Sequence, residues 1–204
     1  MNKNHVTSAE RFLKDKEGAQ WHNETLWITR EKRDKMAMGI PEWEELRELA
    51  SSIKMHAITH LDEYLLQFAE AAEKNGATIH WAKDATEHNE IVLDLLRKHN
   101  AGKVVKSKSM LTEECCLDDF LCDNGINVIE SDLGERILQL LNQPPSHIVM
   151  PAIHLKRQII GKLFEEKLHT EEGNSDPTYL TGCMRENLRQ EFLSTEVAMT
   201  GANF

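Results

Sequence analysis

Residues 104–114, VVKSKSMLTEE, read as a strand that runs into a polar turn and then into a helix. Val104 and Val105 are β-branched and suit a pleated, buried surface. Lys106, Ser107, Lys108 and Ser109 supply the turn. Thr112 stands where it can cap a helix with Glu113 and Glu114 in its first turn, the end that favours carboxylates. Backbone N–H groups at such a helix start, with Lys108 and the serines beside them, can hold a carboxylate or a phosphate. The plainer reading of the same residues is a capped surface turn with solvated lysines.

Working outward, strands alternate with helices from Ala77 onward. A short strand is expected over 78–82, followed by a capping box of Asp84 and Glu87 ahead of Ile91, Leu95 and Leu96. Residues 103–106 form the second strand, and a helix with Leu111, Leu117, Phe120 and Leu121 follows it to about Gly125. The third strand is 126–130, after which Asp132 and Glu135 form another box before Ile137, Leu138 and Leu141. A fourth strand is expected over 147–150, and then a helix with Ile153, Ile159, Ile160, Leu163 and Phe164. Four βα units in succession imply a parallel sheet with helices on its faces. Ligands on such sheets bind beyond the carboxyl ends of the strands. The turns 107–112, 131–135 and 150–154 are therefore expected to share one rim. Its candidate ligand- or partner-binding residues are Lys106, Ser107, Lys108, Ser109, Thr112, Glu113, Asp132, Gly134, His147 and His154.

Upstream, residues 1–75 read as a helical extension and 76–204 as the α/β domain. The segment 8–35 is polar, with Trp21, Leu26, Trp27 and Ile28 as its apolar anchors. Pro41 sits where a first helical position tolerates it, ahead of Trp43, Leu46, Leu49, Ile53 and Ala57. A third helix carries Leu61, Leu65, Phe68, Ala69 and Ala72 and stops at Asn75-Gly76, a left-handed cap. Downstream, EEGNSDP at 171–177 is a loop closed by proline, and a last helix over 181–196 shows Met184, Leu188, Phe192 and Leu193 on one face. TGANF at 200–204 reads as a turn.

Composition narrows the function. The chain has 204 residues, 40% hydrophobic and 28% charged, with a formal charge of −10. That sign repels nucleic acid and anionic membrane. The start, MNKNHVTSAERFLKDKEG, has no apolar signal core, and no later run approaches a membrane span, so a cytoplasmic protein is expected. Four cysteines, Cys115, Cys116, Cys122 and Cys183, then read as reduced thiols. Their spacing lacks the C-x2-C-x2-C-x3-C run of a thiolate-held cluster, so this chain is expected to carry no cofactor.

Two histidine pairs invite functional readings. His56 and His60 have the i, i+4 spacing of a zinc pair, but Ala57 stands where a metalloprotease carries Glu, and two ligands do not close a site. His147 and His154 flank the expected fourth strand in PPSHIVMPAIH, where a rim histidine can donate hydrogen bonds or move protons. Alternatively, His147 packs within the strand and His154 caps a helix or faces solvent. No G-x-G-x-x-G, G-x-x-x-x-G-K-[ST] or G-x-S-x-G occurs, which removes the usual sequence support for Rossmann, P-loop and hydrolase-elbow chemistry.

The motifs VVKSKSMLTEE, INVIESDLGERILQL at 126–140, PPSHIVMPAIH at 144–154 and the final TGANF together resemble the lactate-utilisation iron–sulfur protein family. The similarity extends back through HLDEYLLQFAEAAEKNGATIHWAKDATEHNEIVLDLLRKH and covers most of the chain from about His56. The resemblance implies a LUD domain, similar in fold to the NagB/RpiA/CoA-transferase-like α/β proteins, with a sheet left incomplete here. It also implies a full-length protein with two 4Fe-4S clusters in a later segment. That protein acts with two sister proteins in oxidising L-lactate to pyruvate, passing electrons to a quinone or another acceptor. None of this chain's cysteines matches the cluster ligands, so a truncated form, not catalytic alone, is expected. The other reading is a small-acid-binding or acyl/CoA-transfer-like domain acting on its own; fold analogy alone does not decide it.

Overall fold

Val104 and Val105 point to opposite faces of a strand, and the fold is built around that alternation. The computed structural model describes residues 5–201. In chain order its elements are α1 (His5–Lys14), α2 (Lys16–Met38), α3 (Trp43–Thr59), α4 (Leu61–Lys74), α5 (Ala85–Lys98), β1 (Lys103–Lys106), α6 (Met110–Glu114), α7 (Leu117–Asp123), β2 (Asn127–Glu130), α8 (Leu133–Leu141), α9 (Arg157–Leu168), α10 (Pro177–Leu193) and β3 (Val197–Met199).

The three strands form one open parallel sheet in the order β2-β1-β3. Val104 and Val128 face a core shared with Leu93 and Leu96 of α5 and Leu117 and Leu121 of α7. Val105 and Ile129 face a second core with Ile137 of α8, Leu163 and Phe164 of α9, and Leu180, Met184 and Leu188 of α10. Helices thus cover both faces, as the strand pattern requires. The outer edge of β2 is blunted by a side chain. Gln139 accepts from the Glu130 N–H at 3.3 Å and donates to the Val128 carbonyl at 2.8 Å, occupying groups that an edge strand otherwise leaves open.

The expected β elements are corrected at three places. Residues 78–82 form no strand; they run as a connection with Trp81 60% exposed and no ladder partner. Residues 147–150 form no strand either. His147 Nδ1 accepts from the N–H groups of Val149 and Met150, both at 3.1 Å, so a local side-chain bond takes the donors that a ladder needs. Pro144, Pro145 and Pro151 around this segment offer no donors of their own. The third strand of the sheet is instead Val197–Met199, between the expected last helix at 181–196 and the expected turn at 200–204, and it pairs with β1. Residues 202–204 of the expected terminal turn lie outside the described residues.

Helix boundaries also shift. Pro41 lies in the turn before α3 rather than at its first position. The single helix expected after β1 is two, α6 and α7, hinged at Cys116 with φ 51°. Asn89 of α5 takes the freed Cys115 carbonyl at 2.8 Å, and the new direction carries Leu117 and Leu121 fully into the first core. The helix expected around Ile153 begins only at Arg157, behind a turn. On α10, Phe192 and Leu193 are exposed, and the buried face is Leu180, Met184 and Leu188.

The chain divides into two compact units. One holds residues 1–25 and 82–204, the sheet and its helices. The other is 26–81, containing α3 and α4, a helix pair with no buried residue on either member. Within that pair His56 Nε2 meets the Tyr64 hydroxyl at 2.8 Å, and the His56 and His60 rings lie 4.5 Å apart. Among the described residues, no helix is long and apolar enough to cross a membrane.

Candidate functional site

β1 and β2 are adjacent and parallel, but the chain leaves their carboxyl ends toward opposite faces of the sheet. After β1 it enters α6 and α7, which serve the Val104 core; after β2 it enters α8, which serves the Val105 core. Divergent connections of this kind open a crevice at the strand ends, where α/β sheets bind ligands. Lys106 and Glu130 are the last residues of the two strands and are partners in register.

Lys106 is 1% exposed, and its ammonium meets Glu130 Oε1 at 2.5 Å, Thr112 Oγ1 at 3.3 Å and Asp118 Oδ1 at 3.7 Å. Burial pushes the Glu130 carboxyl up to about 8, with Asp118 adding to the rise and Lys106 opposing it. A shell of charges surrounds this pair. Lys108 Nζ lies 3.2 Å from Glu135 Oε1, and the Glu113 carboxyl is raised, first by burial and then by Glu135.

The turn itself is held by its own side chains. Ser109, not Thr112, is the N-cap of α6: its hydroxyl accepts from the Thr112 N–H at 3.4 Å, and the Thr112 hydroxyl donates back to the Ser109 carbonyl at 2.9 Å. Ser107 Oγ accepts from the Gly201 N–H at 3.0 Å, so the chain after β3 closes over the turn. A Cβ on Gly201 would stand 2.5 Å from the Ser109 Cβ, which requires glycine at this close approach. On β2's side, Asp132 caps α8 by accepting from Gly134 and Glu135. The reciprocal arm of the expected box is absent, because the Glu135 carboxylate is spent on Lys108.

The sequence-predicted residues therefore fall into three places. Lys106, Ser107, Lys108, Ser109, Thr112 and Glu113 gather at the strand ends, with Lys106 inside rather than on an open rim. Asp132 and Gly134 line a shallow cleft of about 280 Å³ with Val149, Met150 and Pro151, whose ring packs on Gly134. His147 and His154 are turned onto their own loop. His147 Nδ1 accepts two backbone N–H groups, which leaves its proton on Nε2, and His154 Nδ1 shares a 2.7 Å hydrogen bond with Ser146. Burial, then the facing His22, lowers the His154 pKa below its ordinary value. Glu130, Asp118, Glu135 and Gly201 were missed as site residues. The signal for Glu130 was present: VVK and VIE each end an apolar run in a charge of opposite sign.

The cysteines do not fit an iron–sulfur cluster. Cys115 lies between α6 and α7 beside Asn89, Cys122 is exposed on α7, and Cys183 packs against the core on the other face of the sheet. Among the described residues, no three His, Cys, Asp or Glu side chains gather to hold a metal ion.

A profile of the LUD domain family matches residues 65–204. The chain is 44% identical over 172 residues to Lactate utilization protein B of Bacillus cereus (strain AH820), and likewise to that of Bacillus thuringiensis (strain Al Hakam). It is equally similar, 44% over 172 residues, to a protein of Escherichia coli (strain K12) named uncharacterized electron transport protein YkgF. Each alignment covers 84% of this chain and 36% of the relative, so the chain spans about a third of the length of the curated relatives it matches. No solved structure matches.

Proposed function

The chain belongs to the LUD domain family, and from that premise we propose that it serves as the LUD portion of an electron-transfer system oxidising L-lactate to pyruvate. In this reading it is a docking and scaffold module, not the bearer of the redox centre; residues 76–204 form the LUD part behind a helical extension, and two 4Fe-4S clusters belong to the longer family member. The strand-end face of Ser107, Lys108, Glu113, Asp132 and Gly134 is the surface presented to the sister proteins, in the cytoplasm.

The charge of that face carries the choice between docking and small-acid binding. Glu113, Asp118, Glu130 and Glu135 stand against Lys106 and Lys108, and both lysines are engaged by carboxylates. With both lysines held by carboxylates, neither is free to take lactate, pyruvate or a CoA phosphate, and the exposed Glu113 suits the basic surface of a protein partner. The test is L-lactate-dependent reduction of a dye acceptor by the chain combined with its sister proteins, comparing wild type with the Glu113→Lys variant, which reverses an exposed charge on that face. A several-fold loss of rate with unchanged circular dichroism is expected. Unchanged rate removes this face from the reading, and saturable calorimetric binding of L-lactate to the chain alone replaces docking by small-acid binding.

A further inference from the structure

At the strand ends two carboxylate oxygens have no hydrogen-bond donor, and two buried donors, Lys108 Nζ and Arg136 Nε, have no hydrogen-bond acceptor. Glu130 Oε1 is served by Lys106, but Glu130 Oε2 and Asp118 Oδ1 are buried oxygens without a donor. Glu130 is 6% exposed, so water does not supply the missing bond freely. Both carboxylates gather on one ammonium, with Lys106 Nζ 2.5 Å from Glu130 Oε1 and 3.7 Å from Asp118 Oδ1. As ions both only accept, and they repel. One proton between them converts an unpaired acceptor and a repulsion into a carboxylic acid that donates to a carboxylate. It also balances the local charge, since two carboxylates then share one negative charge opposite the Lys106 ammonium.

We propose that Glu130 and Asp118 together form a proton-binding site at the strand ends, holding one exchangeable proton at neutral pH. Thr112 and Glu113 of α6, Lys106 of β1, Lys108 of the turn, and Glu135 and Arg136 of α8 are the other polar groups around it. Lys106 and Arg136 favour loss of the proton, whereas Glu113 and Glu135 favour keeping it. Asp118, with its side chain 37% exposed, is the route for exchange: a proton arrives from solvent at its outer edge, passes to Glu130 Oε2, and returns the same way. No other bond is made or broken. The site is a buried acid that can give a proton to, or take one from, whatever seats over the 107–112 turn. It stands independently of the docking reading.

The experiment is a carbon-13 NMR titration of the side-chain carboxyls in the full chain. The Glu130 carboxyl is expected to titrate far above the ordinary carboxylate range, with a midpoint of about 8. Completion of every carboxyl titration below about pH 6, the range of ordinary Asp and Glu, overturns the proposal without need of any variant. Asp118→Asn then separates a shared proton from simple burial. With the second negative charge gone the Glu130 midpoint should fall by about one unit or more, and an unmoved midpoint overturns the sharing.

Discussion

The helix pair of residues 26–81 and the sheet unit carry the same kind of apolar periodicity and use it in opposite ways. In the sheet unit the periodic residues disappear from solvent: Leu117, Leu121 and Phe164 are 0% exposed. In the helix pair they do not. Leu46, Leu49, Ile53 and Phe68 remain between 46% and 66% exposed, on helices that contain no buried residue. A stripe on a helix states that a face can be covered, whereas burial requires two cores' worth of partners from non-local elements. The strands supply those partners in one unit. Two short helices facing each other do not supply them in the other.

The contrast breaks most visibly on truncating a side chain in each unit. Phe164→Ala removes a ring from the centre of the α9 side of the sheet, between Val105 and Met184. The cost is expected at about 3–5 kcal/mol, from lost transfer energy plus the cavity. Against a total of about 5–15 kcal/mol for a domain, this leaves the unit near its limit. Urea unfolding followed by circular dichroism measures it, and a loss below about 1 kcal/mol would mean that Phe164 does not lie at the heart of a packed core.

The strand-end charges give the next effect, and here pH is the probe. Glu130 has a folded pKa of about 8 against 4.5 for the free side chain, so the folded state binds more protons across that window. Stability therefore falls as pH rises from about 4.5 to about 8. His154 works in the other direction. Its folded pKa lies below 6.5, so the unfolded state binds more protons near and below that value, and stability is lost as pH falls. The two oppose each other below about 6.5, and above it the Glu130 contribution remains. Denaturation midpoints between about pH 6.5 and 8 should decline in wild type and stay flat in Glu130→Gln. Equal slopes in the two proteins would remove Glu130 as the titrating group.

What the sequence discloses differs along the same line. β1, β2, the caps at Asp84, Asp132 and the Asn75-Gly76 stop are legible because each is a local matter of β-branching, a capping oxygen or a left-handed glycine; Gly76 has φ 89°. The strand-end location follows from parallel pairing alone. Illegible were features set by distant partners and one set by a side chain's local hydrogen bonds. Residues 197–199 are a strand only because β1 offers an edge, and 147–150 are not one because His147 captures the N–H groups first. Lys106 reads as a rim cation in sequence. Only the register that brings Glu130 beside it, and the hinge at Cys116 that brings Asp118, make it the centre of a buried cluster.

The smallest effect completes the comparison. Phe68 is an apolar residue of the α4 stripe, with the same place in the sequence pattern of its helix as Phe164 has in α9, yet it is 66% exposed. Phe68→Ala removes little area from contact and creates no enclosed cavity. Alanine also has the higher helix propensity, which offsets part of whatever packing is lost. The expected change is within about 0.5 kcal/mol, as for surface substitutions in general. Urea unfolding of the full chain, followed by helical circular dichroism, measures it under the conditions used for Phe164→Ala. A loss of about 2 kcal/mol or more would show that Phe68 is covered in solution, and the distinction between a buried sheet unit and an uncovered helix pair would fail.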